Sequence, residues 1–340
     1  MSTIQDVVKL AGVSTATVSR VLHNSSNVRP ETREKVLVAI KSLNYRPNKL
    51  AQQFRTQKTT NILVLLPRIG DSFFSEILKG IESVANETGY HIFVANTNNQ
   101  VDLETYFFDA LSQKQFDGII NFSALLSAEY LNSIAEEYPV VVACRYLNDV
   151  RLPNITIDNM AASCEMTEYM LNLGHKRIAY ICGDPKLPLY RSRLNGYYQA
   201  LAERNIPANE KLVSIAEPDI RGGYDSTMRL LRSGERFTAI VASGDTLAVG
   251  AMRALQASHI NVPDDVAVCG FDDIELSSLL SPSLTTIRQP RHQIGKRSME
   301  KMLERIAGNS KNCAEQIILD YELIIRASSG KYIHPDGPVG

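Results

Sequence analysis

Short, nearly unbroken apolar runs recur from residue 62 onwards: ILVLLP (62–67), HIFVAN (91–96), GIINFS (118–123), PVVVACR (139–145), RIAYICG (177–183), FTAIVAS (237–243) and VAVCGF (266–271). Most are separated by amphipathic stretches of helix length. A strand that is apolar on both faces has to be covered on both, and crossover helices supply that cover. The pattern predicts parallel sheets wrapped in helices. More than about 260 residues carry it, too many for one ordinary doubly wound sheet, so two similar α/β lobes are expected. In LNLGHKR, Gly174 suits the left-handed residue that closes a helix before a strand.

Residues 1–46 carry helical periodicity and no strand pattern. Ile4, Val7, Val8 and Ala11 recur at helical spacing behind Thr3, a plausible cap, and Gly12 follows. Val18, Val21 and Leu22 form a second apolar stripe. After the polar break HNSSNVRP, Pro30 suits the first turn of a third helix with Val36, Leu37, Ile40 and Leu43 as its core face. Three helices this short stand only by sharing a core. Pro47 ends the unit, NKLAQQFRT (48–56) could add one short helix, and QKTTN (57–61) reads as the end of a linker.

Net charge is −1 over the chain, but the charge is segregated. Residues 1–60 hold ten Lys/Arg against three Asp/Glu, which makes +7, and the remainder holds 26 against 34, which makes −8. That asymmetry suggests either a nucleic-acid- or membrane-facing end or simply a basic solvated helical surface. The five cysteines are scattered without a CxxC pair, as expected of buried free thiols in a reducing compartment. Without a signal segment or a run of 18 apolar residues, the expectation is a soluble, cytoplasmic protein. The last ten residues, KYIHPDGPVG, are expected to be disordered.

On a 100° wheel the second helix points Val18, Val21 and Leu22 one way and Ala16, Ser19, Arg20 and His23 the other, with Thr15 at its exposed N-terminal end. Two helices joined by a tight Gly12 turn, the second presenting small and polar residues, read as a helix-turn-helix. Its second helix would enter the DNA major groove with the N-terminal end leading. Arg20 can pair with guanine O6 and N7, and Thr15 or Ala16 can touch a thymine methyl. An ordinary amphipathic helical pair is the alternative.

The stretch TIQDVVKLAGVSTATVSRVLHNSSNVRPETREKVLVAIKSLNYRPNKLAQQF closely resembles the DNA-binding headpiece of the lactose/galactose repressor family, through AGVSxxTVSRVL, RPETREKV and LNYRPN. GHKRIAYI, DTLAVG, VPDDVAVCGFDD, SPSLTTIRQP, IGKRSMEKML and YELIIRASS continue the resemblance in that family's order. It implies an all-α helix-turn-helix headpiece (residues 1–46), a hinge helix and linker (47–60), and an effector-binding and dimerisation core (61–330). The core would be a two-lobed α/β unit like a periplasmic binding protein, with parallel sheets. Lobe 1 is placed at about 61–157 and 287–319 and lobe 2 at about 158–286 and 320–330, with crossings near 157–160, 285–290 and 318–322. In the hinge, the family's apolar wedge opens a minor-groove base step. Phe54 stands where leucine is usual, Arg55 could reach a phosphate or a base edge, and Asn48 joins the DNA-facing set.

The resemblance also nominates an effector site. Phe73 and Phe74 in DSFFSEI fall where the family presents an aromatic. Arg193 in RSRLNGY matches a basic residue that hydrogen-bonds the effector, and Asp272 in GFDDIEL matches the acid that grips a ligand hydroxyl. Core packing is the alternative for Phe73, and an interlobe ion pair for Arg193 and Asp272. Asp245 is read as structural, a possible helix cap. Pro218 and Gly244 depart from positions where relatives carry a covering aromatic and an asparagine. DSFFSEILKGIE, LPLYRSRLNGY and LTTIRQPRHQIGKRSM are most similar to the family's cytidine-repressor branch, which implies a nucleoside effector, with a sugar or sugar phosphate as the alternative. No GxSxG, P-loop, GxGxxG or HExxH motif occurs, so neither catalysis nor a metal or other cofactor is expected. The chain is expected to be a homodimeric repressor on a near-palindromic operator. A solute-binding protein without a regulatory role is the rival, and it would leave the basic headpiece without a purpose.

Overall fold

The computed structural model describes residues 2–22, 27–45, 58–145, 149–308 and 315–330. Two compact units emerge, Met1–Thr59 and Thr60–Gly340. The first consists of α1 (Ile4–Ala11), α2 (Thr15–Leu22) and α3 (Pro30–Ser42). Thr3 and Asp6 form a reciprocal capping box at the start of α1, and Gly12 closes it at φ +64° with its N–H on the Val8 carbonyl. Ser14 Oγ accepts from the Thr17 N–H and opens α2. Val7, Val18, Val21, Val36 and Ala39 make the shared core, with Ile4, Val8, Ala11, Leu22, Ile40 and Leu43 packed around it. Leu37 does not join them and stays 50% exposed. The stripe that faces α1 and α2 runs through 36, 39–40 and 43, and Leu37 lies about 100° around the helix from Val36.

The second unit runs β1 (Asn61–Leu66), α4 (Phe73–Thr88), β2 (His91–Asn96), α5 (Val101–Ser112), β3 (Gly118–Asn121), α6 (Ala128–Glu137), β4 (Val140–Ala143) and β5 (Asn154–Ile157). There follow α7 (Asn159–Asn172), β6 (Ile178–Cys182), α8 (Pro188–Glu203), β7 (Val213–Ile215), α9 (Ile220–Arg232), β8 (Ala239–Ala242), α10 (Asp245–Ala257) and β9 (Ala267–Cys269). Last come α11 (Glu275–Leu279), β10 (Thr286–Arg288), α12 (Arg291–Ile306), β11 (Gln316–Leu319) and β12 (Glu322–Ile324).

A six-stranded sheet in the order β11-β5-β4-β3-β1-β2 is parallel throughout, and so is a four-stranded sheet in the order β7-β6-β8-β9. Central strands β3, β4, β6 and β8 are buried along their whole length, which is why they read as unbroken apolar runs. The third sheet is an antiparallel ribbon of β10 and β12. It lies where the chain passes between the two large sheets, and the other direct passages are β5 to α7 and β11 to β12. Gly174 adopts φ +98° behind α7, as the LNLGHKR motif requires. The four described cysteines 144, 164, 182 and 269 are free and buried. Among the described residues, no helix is long and apolar enough to cross a membrane.

Helices α4 and α12 approach backbone to backbone through a pair of glycines. A Cβ on Gly295 would sit 2.0 Å from the Ile77 carbonyl oxygen, and one on Gly80 would sit 2.1 Å from that of His292. Gly295→Ala should therefore force the helices apart and destabilise the core by about 1–3 kcal/mol. Urea unfolding checks this: the midpoint should drop with little change in slope.

Candidate nucleic-acid interface and effector cleft

In the headpiece, α2 buries Val18 and Val21 and turns Thr15, Ala16 and Arg20 outward; all three are exposed and Ser19 is half-buried. The apolar stripe fixes this orientation, because the helix cannot bury Val18 and Val21 without exposing the opposite face. A small-residue N-terminal end with a cation one turn on can bring its backbone close to a groove and reach a base edge. Asn48, Phe54 and Arg55, like the rest of residues 46–57 and the tail after residue 330, lie outside the described residues.

The second unit holds a cleft of about 530 Å³ between its two large sheets. Its aromatic wall comes from the start of α4. The Phe73 and Phe74 rings meet edge to face at 5.2 Å, and Phe74 meets Phe122 the same way at 5.7 Å. Both also count in the core under β1, so the packing and cleft-lining readings of Phe73 describe two sides of one ring. Asp71 Oδ1 accepts from the Phe73 N–H and sets the entry of α4.

Arg193 and Asp272 converge on the opposite wall. The Arg193 guanidinium lies 3.6 Å above the Phe271 ring, donates from Nε to Asn159 (2.9 Å) and from Nη1 to the Ser243 carbonyl (2.6 Å), and pairs through Nη2 with Asp272 at 3.4 Å. The ion pair weighed from sequence thus exists, but both partners belong to the four-stranded side, α8 and the loop after β9, rather than to opposite lobes. Gln289 Nε2 donates to Asp272 Oδ1 at 2.7 Å. Burial pushes the Asp272 carboxyl up to about 6; Arg193 opposes the rise and Asp71 adds to it.

Each member of this pair is braced by a residue of a passage between sheets. Asn159 follows β5 and binds back to the Ile157 carbonyl, and Gln289 follows β10. The neighbouring Asp273 ties the ribbon together, accepting from Arg288 Nε and Arg326 Nη2 at 2.7 Å each, while its carbonyl accepts from Arg291. Asp272 and Asp273 both hold positive φ, +115° and +51°, which turns the loop so that one carboxylate faces the cleft and the other the ribbon. A ligand touching Arg193 or Asp272 would therefore contact groups hydrogen-bonded to the passages between the two large sheets.

Asp245 is buried and outside the cleft lining. Its carboxylate accepts from the Ile274 N–H, Ser277 Oγ and Thr286 Oγ1 rather than from its own helix, which is capped from Gly244. Burial and then the nearby Asp272 push it up to about 7. Pro218 lines the mouth, where its carbonyl accepts from Arg68, a bond spanning the cleft between the loop after β1 and the loop before α9. Gly244 lies on the floor, where an added Cβ would touch Asp272 Oδ2 at 3.7 Å.

Several lining residues escaped sequence reading: Arg68, Arg145, Tyr190 and the brace residues Asn159 and Gln289. The one legible signal was a pair of arginines, Arg68 and Arg145, each two residues after the end of an apolar strand. In parallel α/β sheets that position faces the ligand.

Comparison with known proteins gives the family. A family model described as "Bacterial regulatory proteins, lacI family" matches residues 3–48, and one described as "Periplasmic binding proteins and sugar binding domain of LacI family" matches residues 59–326. The chain belongs to the LacI family. Over 331 residues this LacI-family chain is 34% identical to the HTH-type transcriptional repressor CytR of Escherichia coli (strain K12), covering 96% of each. It is 36% identical over 332 residues to the HTH-type transcriptional regulator RegA of Clostridium saccharobutylicum, covering 96% of this chain and 99% of that one. The lac repressor dimer bound to operator and the anti-inducer ONPF superposes with a TM-score of 0.86 at 28% identity, covering 96% of this chain and 99% of that one. The chain is a DNA-binding transcriptional regulator with an effector-binding core, not an enzyme.

Proposed function

We propose that this regulator is a cytoplasmic, homodimeric repressor that reads a near-palindromic operator through α2 and responds to a small hydroxylated molecule bound between Phe73/Phe74 and Arg193/Asp272. The observation that carries the reading is the bracing of Arg193 by Asn159 and of Asp272 by Gln289. It joins ligand contact to the passages between lobes, so occupancy can shift the lobe arrangement and, through the linker, operator affinity. An aromatic wall facing a carboxylate–guanidinium pair suits a nucleoside: the base lies on the rings and the ribose hydroxyls donate to Asp272. The similarity to CytR favours the same class, and the similarity to the operator-bound lac repressor dimer favours dimeric operator binding. A sugar or sugar phosphate is the second reading, favoured by the two exposed acids Asp184 and Glu217 on the rim, which add hydroxyl acceptors.

A thermal-shift screen against nucleosides, sugars and sugar phosphates tests the effector, because a ligand of the folded state alone raises stability by mass action. A shift by no hydroxylated compound would sink this reading. For the DNA interface, Arg20→Ala should cost on the order of 1–3 kcal/mol and relax sequence preference at one operator position. Binding selections on randomised operators check it. An equal loss on every sequence would mean that Arg20 holds phosphate only.

A further inference from the structure

Among the described residues, the cleft contains one arginine that no ion pair neutralises. Arg145 lies two residues after β4, lines the cleft and is 5% exposed. Its only side-chain hydrogen bond among the described residues runs from Nε to the Phe122 carbonyl at 3.1 Å, and Nη1 is buried without a partner. No carboxylate among the described residues lies within ion-pair distance of it. Glu104 is near enough to act on it electrostatically, but both its oxygens are taken, one by Asn121 Nδ2 and the other by the Leu125 N–H. Arg193, by contrast, has Asp272, and Arg68 has the Pro218 carbonyl and Asp71. The acids of the cleft do not reach Arg145: Asp272 is held by Arg193 and Gln289, Asp71 caps α4, and Asp184 and Glu217 sit exposed at the rim.

A guanidinium removed from water and left without a counter-charge is expensive, and the fold tolerates it only where something else supplies the anion. Tyr190 lines the same cleft from α8, and its phenol feels Arg145 and Arg68 as well as Arg193 of its own helix, with Asp272 acting in the opposite sense. We infer that Arg145, with Tyr190, forms an anion subsite of the effector cleft, and that the effector carries a phosphoryl or other oxyanion group seated there. This rests on the reading of the cleft as the effector site and narrows it from hydroxylated molecules to phosphorylated or acidic ones. A planar guanidinium with free terminal nitrogens takes two oxygens of one phosphate or carboxylate side by side. The Phe73/Phe74 wall and Asp272 remain for the base or ring and its hydroxyls.

The test uses the full-length protein, titrated calorimetrically with inorganic phosphate and with matched pairs: a nucleoside and its 5′-monophosphate, a hexose and its 6-phosphate, a hexose and its uronate. The pairs separate nucleotide, sugar phosphate and sugar acid as sources of the anion. Wild type should bind phosphate alone and prefer the anionic member of at least one pair by about tenfold or more. Arg145→Met should abolish both properties. Arg145→Lys, which keeps the charge and fits the same space, should retain part of the preference, so a misfolded Met variant would not decide the matter. No phosphate binding and no anionic preference in wild type would overturn the inference, as would an Arg145→Met protein that keeps them. If neutral compounds bind equally well and Asp272→Asn removes that binding, the effector cleft stands and only the anion subsite falls. If binding responds to neither Asp272 nor Arg145, both fall.

Discussion

Raising salt from about 50 to about 200 mM is expected to weaken operator binding by about 10³-fold, provided that six or more phosphates are contacted by the two headpieces of a dimer. The charge distribution sets the size of the effect. Each chain concentrates +7 in its first sixty residues and −8 in the rest, so a whole-chain charge of −1 conceals a strongly cationic end. Lys and Arg on phosphates release condensed counterions, and added salt removes the entropic gain from that release. Fluorescence anisotropy of a labelled operator duplex over a series of KCl concentrations measures the slope. A response near zero would mean that the basic headpiece does not lie on the phosphate backbone, and the proposed DNA interface would fail with it.

Replacing Asp272 is expected to remove the response to effector while the protein still binds operator. Asp272→Asn keeps the shape and tolerates the positive φ of +115°, whereas Asp272→Ala also strains that backbone. Loss of an ionised acceptor for ligand hydroxyls should weaken effector binding on the order of 10²-fold. The same carboxyl predicts a pH dependence. With its value raised to about 6, effector affinity in wild type should climb through pH 6 and level off above about pH 7. With a ligand that does not itself titrate in this range, the Asn variant should be flat. Stability runs the other way. Asp272 and Asp245 both sit above their ordinary 3.8, so between about pH 4 and 7 the folded protein binds more protons than the unfolded one, and stability falls as pH rises through that window. Calorimetric titration across pH, paired with thermal melts, checks both signs. A full effector response in Asp272→Asn would displace the proposed site from this wall.

Much of the architecture was legible because burial writes itself into sequence. ILVLLP, GIINFS, PVVVACR, RIAYIC and FTAIVAS are apolar because the strands they contain are covered on both faces. The strands that escaped, 154–157, 213–215, 286–288, 316–319 and 322–324, are three or four residues long and mix polar with apolar positions. All but 154–157 lie at sheet edges or in the ribbon between sheets, and a half-covered strand of that length has no period to read; 154–157 is inside the six-stranded sheet, but its four residues are broken by Asn154 and Thr156. Leu37 shows the converse error, an apolar residue adjacent to a core stripe that packing leaves outside.

The sequence by itself determined the kind of protein: a cationic three-helix headpiece with its polar face on Thr15, Ala16 and Arg20, followed by a two-sheet parallel α/β core. It also nominated Phe73, Phe74, Arg193 and Asp272, which the fold gathers from α4, α8 and the loop after β9 into one cleft. Only the tertiary structure decided which charges in that cleft are spent and which are free. Arg193 and Arg145 are alike in a string of letters. One is matched by Asp272, 79 positions away, and the other has no carboxylate within ion-pair distance among the described residues. Charge compensation is a property of distances between segments remote in sequence, and no local pattern encodes it.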